Sequence, residues 1–169
     1  MIESLIITLA AAAASTCAVP AAEAVAQLSL PYAAFDNRGA PFGWRTLSSS
    51  GCTDAAVSLL TRYAEENRSR LAPAEQREIA FHIGQALAMA GKEPESIPWF
   101  EHALSAEASG EWDTYVQATL AFLRRDTVAL GAARASYATL APDSMRLQII
   151  DGLVACPTEP YMKAAHCKM

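Results

Sequence analysis

The segment REIAFHIGQALAMAGKEPESIPWFEHAL, residues 77–104, most constrains what this chain can fold into, because it reads as two amphipathic helices folded back on a single turn. Ile79, Ile83, Ala86, Leu87 and Ala90 recur at helical spacing and lay one apolar stripe along a helix that starts near Ala74. Gly91 ends it. Glycine enters the left-handed conformation that helix C-termini favour, and the Lys92 cation suits the negative end of the helix dipole. Pro94 opens the second helix, where a missing amide hydrogen costs nothing, and Pro98 is still early enough to be tolerated. Ile97, Trp99, Phe100, Ala103 and Leu104 give that helix its buried side.

Gly84, Leu87, Gly91, Ser96, Phe100 and Ala103 supply, in order, a small residue, a large apolar one, a turn glycine, a second small residue, an aromatic and an alanine. At these spacings the segment resembles the tetratricopeptide repeat. Ser96 stands where that family usually has alanine, and the repeat lacks its closing proline. Small residues on facing helices let two backbones approach, and Leu87 and Phe100 fill the space beside them. A shift of 35 residues brings Thr119, Phe122, Asp126, Gly131, Ala135 and Ala138 into the same roles, which predicts a degenerate second copy from Glu111 to Leu140. The resemblance implies an all-α fold of antiparallel helix hairpins, closed by a C-terminal capping helix. It also implies a concave face, built from the first helix of each pair, that binds a peptide or protein segment. On this chain that face would comprise Glu78, Phe81, His82, Gln85 and Met89 from the first copy, with Asp113, Val116, Gln117, Leu120 and Arg124 from the second. Phe81, Met89, Val116 and Leu120 equally suit a core. The basic clamp residues of chaperone-tail binders in the family are not repeated here, and Arg124 stands alone.

The chain has 169 residues, about one domain, and its 52% hydrophobic content suffices for a packed core. A formal charge of −5, with no basic run beyond Arg124-Arg125, argues against nucleic acid and against an anionic membrane surface. Residues 1–24 have the outline of a secretory signal: the apolar run from Leu5 to Ala14, small residues, then Ala22-Glu23-Ala24 as a processing site. The basic residue expected near the start is missing, and Glu3 stands there instead. The apolar run is too short for the ~20 residues of a membrane span. These features place the mature chain in the periplasm or outside the cell.

Residues 25–51 show no sustained period and read as an irregular arm. Tyr32, Phe35, Phe42 and Trp44 make it too apolar for a free linker, so it either covers an end of the helices or contributes aromatics to a site. The helical domain occupies residues 52–169. Asp54 to Arg70 forms a packing helix, and after Pro142 a last long helix runs through Met145, Leu147, Ile149, Ile150, Leu153 and Val154, with a short turn at Tyr161 to Cys167. Removal of the signal would take Cys17 with it. Of the three cysteines left one stays unpaired, and Cys156 with Cys167 is the preferred disulfide because the chain can double back from the last helix. The rival pairs Cys52 with either, which a linear stack opposes because its ends lie farther apart than the ~7 Å that cysteine α-carbons tolerate and a compact bundle would allow.

No catalytic constellation is present. His82, His102 and His166 lack a partner at metal or triad spacing, the glycines form no phosphate loop, and no Cys-x-x-Cys pair occurs, so neither cofactor nor metal is expected. The sequence is therefore read as an exported, non-catalytic binding or scaffold module for a protein or peptide partner. The alternative is a small hydrolase or ligand-binding protein whose pocket, lined by His82, Trp44 or Trp99, is closed by the N-terminal arm. A third possibility is a structural subunit that pairs through the broad apolar face of the last helix.

Overall fold

The structure is a computed structural model that describes residues 17–167, and within them it is all-helical. Ten helices follow in order: α1 (Ala21–Leu28), α2 (Tyr32–Phe35), α3 (Trp44–Ser49), α4 (Thr53–Glu66), α5 (Pro73–Met89), α6 (Glu93–His102), α7 (Gly110–Leu123), α8 (Thr127–Leu140), α9 (Met145–Ala155) and α10 (Tyr161–Ala165). Among the described residues none of these is long and apolar enough to cross a membrane. The expected signal run from Leu5 to Ala14 lies outside the described residues.

Helices α5 and α6 form the hairpin expected around Gly91, which has φ +81°. The Lys92 amide donates to the Leu87 carbonyl at 2.9 Å and the Gly91 amide to Ala88 at 3.1 Å, which closes the helix end as a left-handed cap. Gly84 faces Phe100 so closely that a β-carbon there would stand 3.1 Å from the ring. Phe100 and Ser96 are fully buried in consequence.

Hairpins α7/α8 and α9/α10 follow. Their second helices begin at Glu93, Thr127 and Tyr161, each 34 residues after the last. The register differs from the expected shift of 35. Arg125, not Asp126, takes the left-handed turn position, at φ +59°, and the Asp126 amide donates to Ala121 at 2.9 Å as Lys92 does to Leu87. Asp126 instead caps α8, accepting from the Ala129 amide at 2.9 Å. The inward face of α8 is thus Leu130 and Tyr137, while Gly131 and Ala135 lie in solvent. In the third hairpin Gly152 lies against the α10 backbone at Ala164 and Ala165.

Two apolar clusters share α5. Ile79, Ile83 and Leu87 face α4 and the N-terminal segment, whereas Ala80, Phe81 and Ala88 face the later hairpins, and Trp99 packs against both. Each fully buried large side chain contributes about 1.5–3 kcal/mol, so α5 is the helix whose loss would separate the two clusters.

Residues 25–51 are not irregular. They fold into the end of α1, α2 and α3, each too short to show a period in sequence. Phe35 stacks on Tyr63 at 3.7 Å, the Tyr63 hydroxyl donates to the Leu30 carbonyl at 2.7 Å, and the Asn67 amide reaches Leu28 at 3.0 Å. The Ala22-Glu23-Ala24 site lies within α1, whose Ala24 and Leu28 are buried. Cys17 and Cys52 are disulfide-bonded, with α-carbons 5.2 Å apart, a pairing outside those weighed from sequence, where Cys17 was expected to leave with the signal. The expected bond between Cys156 and Cys167 is present, with α-carbons 6.4 Å apart.

Candidate functional site

The residues expected to form an open first-helix face are mostly closed over by the chain itself. Phe81, His82, Asp113, Val116 and Leu120 are buried; Glu78, Gln85 and Gln117 are half-buried; Met89 and Arg124 are exposed. Two segments account for this. Helix α10 sets Tyr161 against Phe122, with ring centroids 6.2 Å apart, and the polar groups of Gln85, Tyr115 and Thr119 surround its hydroxyl. Burial pushes the Tyr161 and Tyr115 phenols above their usual range, so both stay neutral. Arg125 fixes the approach of this segment: it donates to the Pro157 carbonyl at 2.8 Å and pairs with Glu93 at 2.8 Å, while Glu93 also accepts from the Tyr161 amide at 2.6 Å.

The N-terminal segment covers the other half of α5. Trp44 packs on His82 with centroids 4.7 Å apart, and the Arg45 guanidinium lies 4.1 Å over the Trp44 ring. Arg45 Nη2 donates to both Asp36 carboxylate oxygens at 2.8 Å and lies 3.3 Å from His82 Nε2, which is itself 3.3 Å from Asp36. Burial alone would raise the Asp36 carboxyl, but His82 and Arg45 together outweigh it and hold it below the ordinary carboxylate range. Burial raises the neighbouring Tyr32 phenol, and the Asp36 and Glu78 charges add to that.

Asp36, Glu78 and His82 bring one donor atom each within 4.8 Å of one another, a spacing that could hold a cation. The Arg45 guanidinium already supplies the positive charge there, and a metal would have to displace it from both Asp36 oxygens. His82 shows 8% of its side chain and lies behind Trp44, with its Nε2 facing Asp36 and Arg45. Its chemistry here is that of a packing and hydrogen-bonding group. Asp113 is likewise a loop fastener: it accepts from the Ser105 amide at 2.7 Å and the Ser105 hydroxyl at 2.6 Å. Gln117 donates to Ala108 at 2.9 Å, and Arg124 pairs with Glu101.

Open concavities lie between neighbouring hairpins, and five of the expected face residues line two of them: Gln117, Leu120 and Arg124 the second described below, and Glu78 and Asp113 a third, of about 500 Å³, beside Trp112 and Arg146. The largest, about 710 Å³, runs between α4 and α6 over the start of α5, with Ala64 and Ala80 low in it, Pro98, Trp99 and Leu104 on the α6 side, and Arg68 and Arg77 among its polar groups. A second, about 520 Å³, lies along α7 and α8 beside Leu104, where Ala132, Ala133 and Ser136 stand 34 residues after Pro98, Trp99 and His102. Leu104 lines both. Trp99 reads in sequence as core or as part of a closed pocket; its place among exposed neighbours, Pro98, Glu101 and His102, is the signal that marks it as a groove wall. No protein-family model, curated protein or solved structure matches this chain.

Proposed function

We propose that the chain is a tetratricopeptide-like repeat module that works without catalysis, by holding a segment of a protein partner. The observation that carries the reading is the recurrence of one hairpin plan at 34-residue intervals, with the same turn hydrogen bond closing α5 and α7. Repeats of that size stack into elongated surfaces whose grooves suit extended or helical peptides. Trp44 and Tyr161 cover parts of the face expected from the first helices, and the binding surface in this proposal is the groove between α4 and α6 with its neighbour along α7 and α8.

The same reading puts the protein in an oxidising compartment, the periplasm or the exterior, where the Cys156–Cys167 bond would persist, and the Cys17–Cys52 bond with it only if processing falls ahead of Cys17 and not after Ala24. Cross-linking the tagged full chain in its native envelope, followed by capture with the disulfides intact and mass spectrometry, tests the module. One protein recovered in near-stoichiometric amount is the expected result. Recovery of the chain alone, together with turnover of ester or amide substrates by the purified protein, would overturn it in favour of an enzyme.

A further inference from the structure

The groove between α4 and α6 stands apart from the rest of the surface in its charges. The chain is acidic, with 18 carboxylates against 13 lysines and arginines. Among the described residues, eight of those cations reach a carboxylate within 4.0 Å. Of the four described that do not, two, Arg68 and Arg77, line this groove, and Arg77 also borders the third concavity, beside Glu78, Glu107, Glu111 and Asp113. Arg77 Nε is buried and has no hydrogen-bond partner. A buried donor left unmade costs free energy that a carboxylate would recover, and the planar guanidinium fork suits a carboxylate better than any neutral group. The groove's one acid, Glu65, is exposed on α4, so the local formal balance is positive in a negative protein.

Beside these cations the groove is apolar. The alanines Ala64 and Ala80 let an incoming side chain approach the helices, and Trp99 offers a large flat contact next to Pro98 and Leu104. A volume of about 710 Å³ accommodates a few side chains. Leu104 also lines the next groove, so the two adjoin at that residue, and a chain seated in the first can extend over it toward the alanine-lined surface of α8. That continuity favours a peptide over an isolated small molecule. In the second groove Arg124 is already paired with Glu101, so charge is read only in the first.

We infer that the α4/α6 groove recognises a peptide segment that presents an apolar side chain flanked by a carboxylate, the apolar group against Trp99 and the carboxylate on Arg77 and Arg68. This rests on the binding-module reading and adds the partner's chemistry. The test uses the full disulfide-bonded chain and three pools of fluorescein-labelled decapeptides. Each pool has two central apolar residues, flanked by Asp or Glu in the first, by Asn or Gln in the second and by Lys in the third. Fluorescence polarisation reports affinity, and the Trp99 indole NMR resonance reports occupancy of the groove.

The acidic pool is expected to bind at least tenfold tighter than the neutral one and to shift the Trp99 resonance. Arg68→Gln with Arg77→Gln should remove that preference, and Arg77→Lys should keep part of it; thermal melts of each variant show whether it folds. Equal binding of all pools, or an acidic preference unchanged in the arginine variant, overturns the proposal. Peptide binding that leaves Trp99 unmoved overturns the groove assignment while the module stands. If dodecanoate shifts Trp99 and no peptide pool does, the occupant is an amphiphile and the peptide assignment falls. If nothing binds, the inferred chemistry is wrong, and the cross-linking experiment then decides the module separately.

Discussion

Gly91 and Arg125 occupy the same place in two successive hairpins, with φ of +81° and +59° and the same backbone bond closing the helix before them. Little else about the two hairpins agrees. The first seats a phenylalanine against a missing side chain, Phe100 against Gly84, and is covered on its first-helix side by the N-terminal segment. The second has Arg134 at the place of Phe100 and Ala133 at the place of Trp99, and its first helix is sealed by Tyr161. The difference separates two jobs. Turn geometry and helix register repeat because they fix how the hairpins stack, whereas the side chains between the helices vary with what each hairpin must bury or display.

Exchanging equivalent residues should expose that division, with the largest effect in the first hairpin. Phe100→Ala removes a fully buried ring from the α5/α6 seam and is expected to cost about 3–5 kcal/mol. Arg134→Ala, at the same repeat position, removes only a partly exposed ion pair to Asp151 at 2.7 Å and should cost less than about 1 kcal/mol. Urea unfolding followed by circular dichroism measures both. Equal losses would mean that the repeat position itself, and not its occupant, carries the stability.

A smaller effect tests the covering of the first hairpin. Asp36→Asn leaves Arg45 half-buried beside a neutral partner and should destabilise the chain by roughly 1–3 kcal/mol at neutral pH. The sign follows from the carboxyl being held below its ordinary range when folded. Its contribution is full above the unfolded carboxylate value near ~4 and disappears as pH falls through the lower folded value. Wild type and variant should therefore converge in acid. A gap that persists at low pH would assign the loss to packing instead of charge.

The parts of this fold that were legible in sequence are those fixed by neighbours in the chain. The Gly84–Phe100 seam, the Gly91 turn and the Cys156–Cys167 bond all join residues within one hairpin, so spacing alone reaches them. The covering of the first-helix side was not legible: His82 and Phe122 have the same local pattern whether they face a partner or this chain's own Trp44 and Tyr161, which arrive from far along the sequence. Asp113 reads as a solvated helix acid because nothing nearby announces that Ser105 will turn back to it. The Cys17–Cys52 bond was hidden by the resemblance of residues 1–24 to a signal, which removes Cys17 from the count before any pairing is weighed. The second hairpin is displaced by one residue from its expected register because the 35-residue shift follows the small residues Gly131, Ala135 and Ala138, whereas the structure buries Leu130 and Tyr137.

That displacement supplies the last and smallest prediction, a swap of the two turn residues. Gly91→Arg places a side chain at φ +81° with no heavy atom within 4 Å of the new β-carbon, so its cost is backbone strain alone, about 1–2 kcal/mol. Arg125→Gly relieves a similar strain but releases the guanidinium that ties α7 to Glu93 and to the Pro157 carbonyl. These oppose each other, and the net change should lie within about 1 kcal/mol of zero. The two arms of the swap therefore differ in sign or size although the backbone is the same, and thermal denaturation of both variants measures the gap. If Arg125→Gly stabilises the chain by the full strain value, the tether contributes nothing and the seating of α10 depends on Tyr161 and the disulfide. If instead it destabilises by more than Gly91→Arg, the tether outweighs the strain, and the arginine holds its unfavoured backbone place in order to fasten the third hairpin over the second.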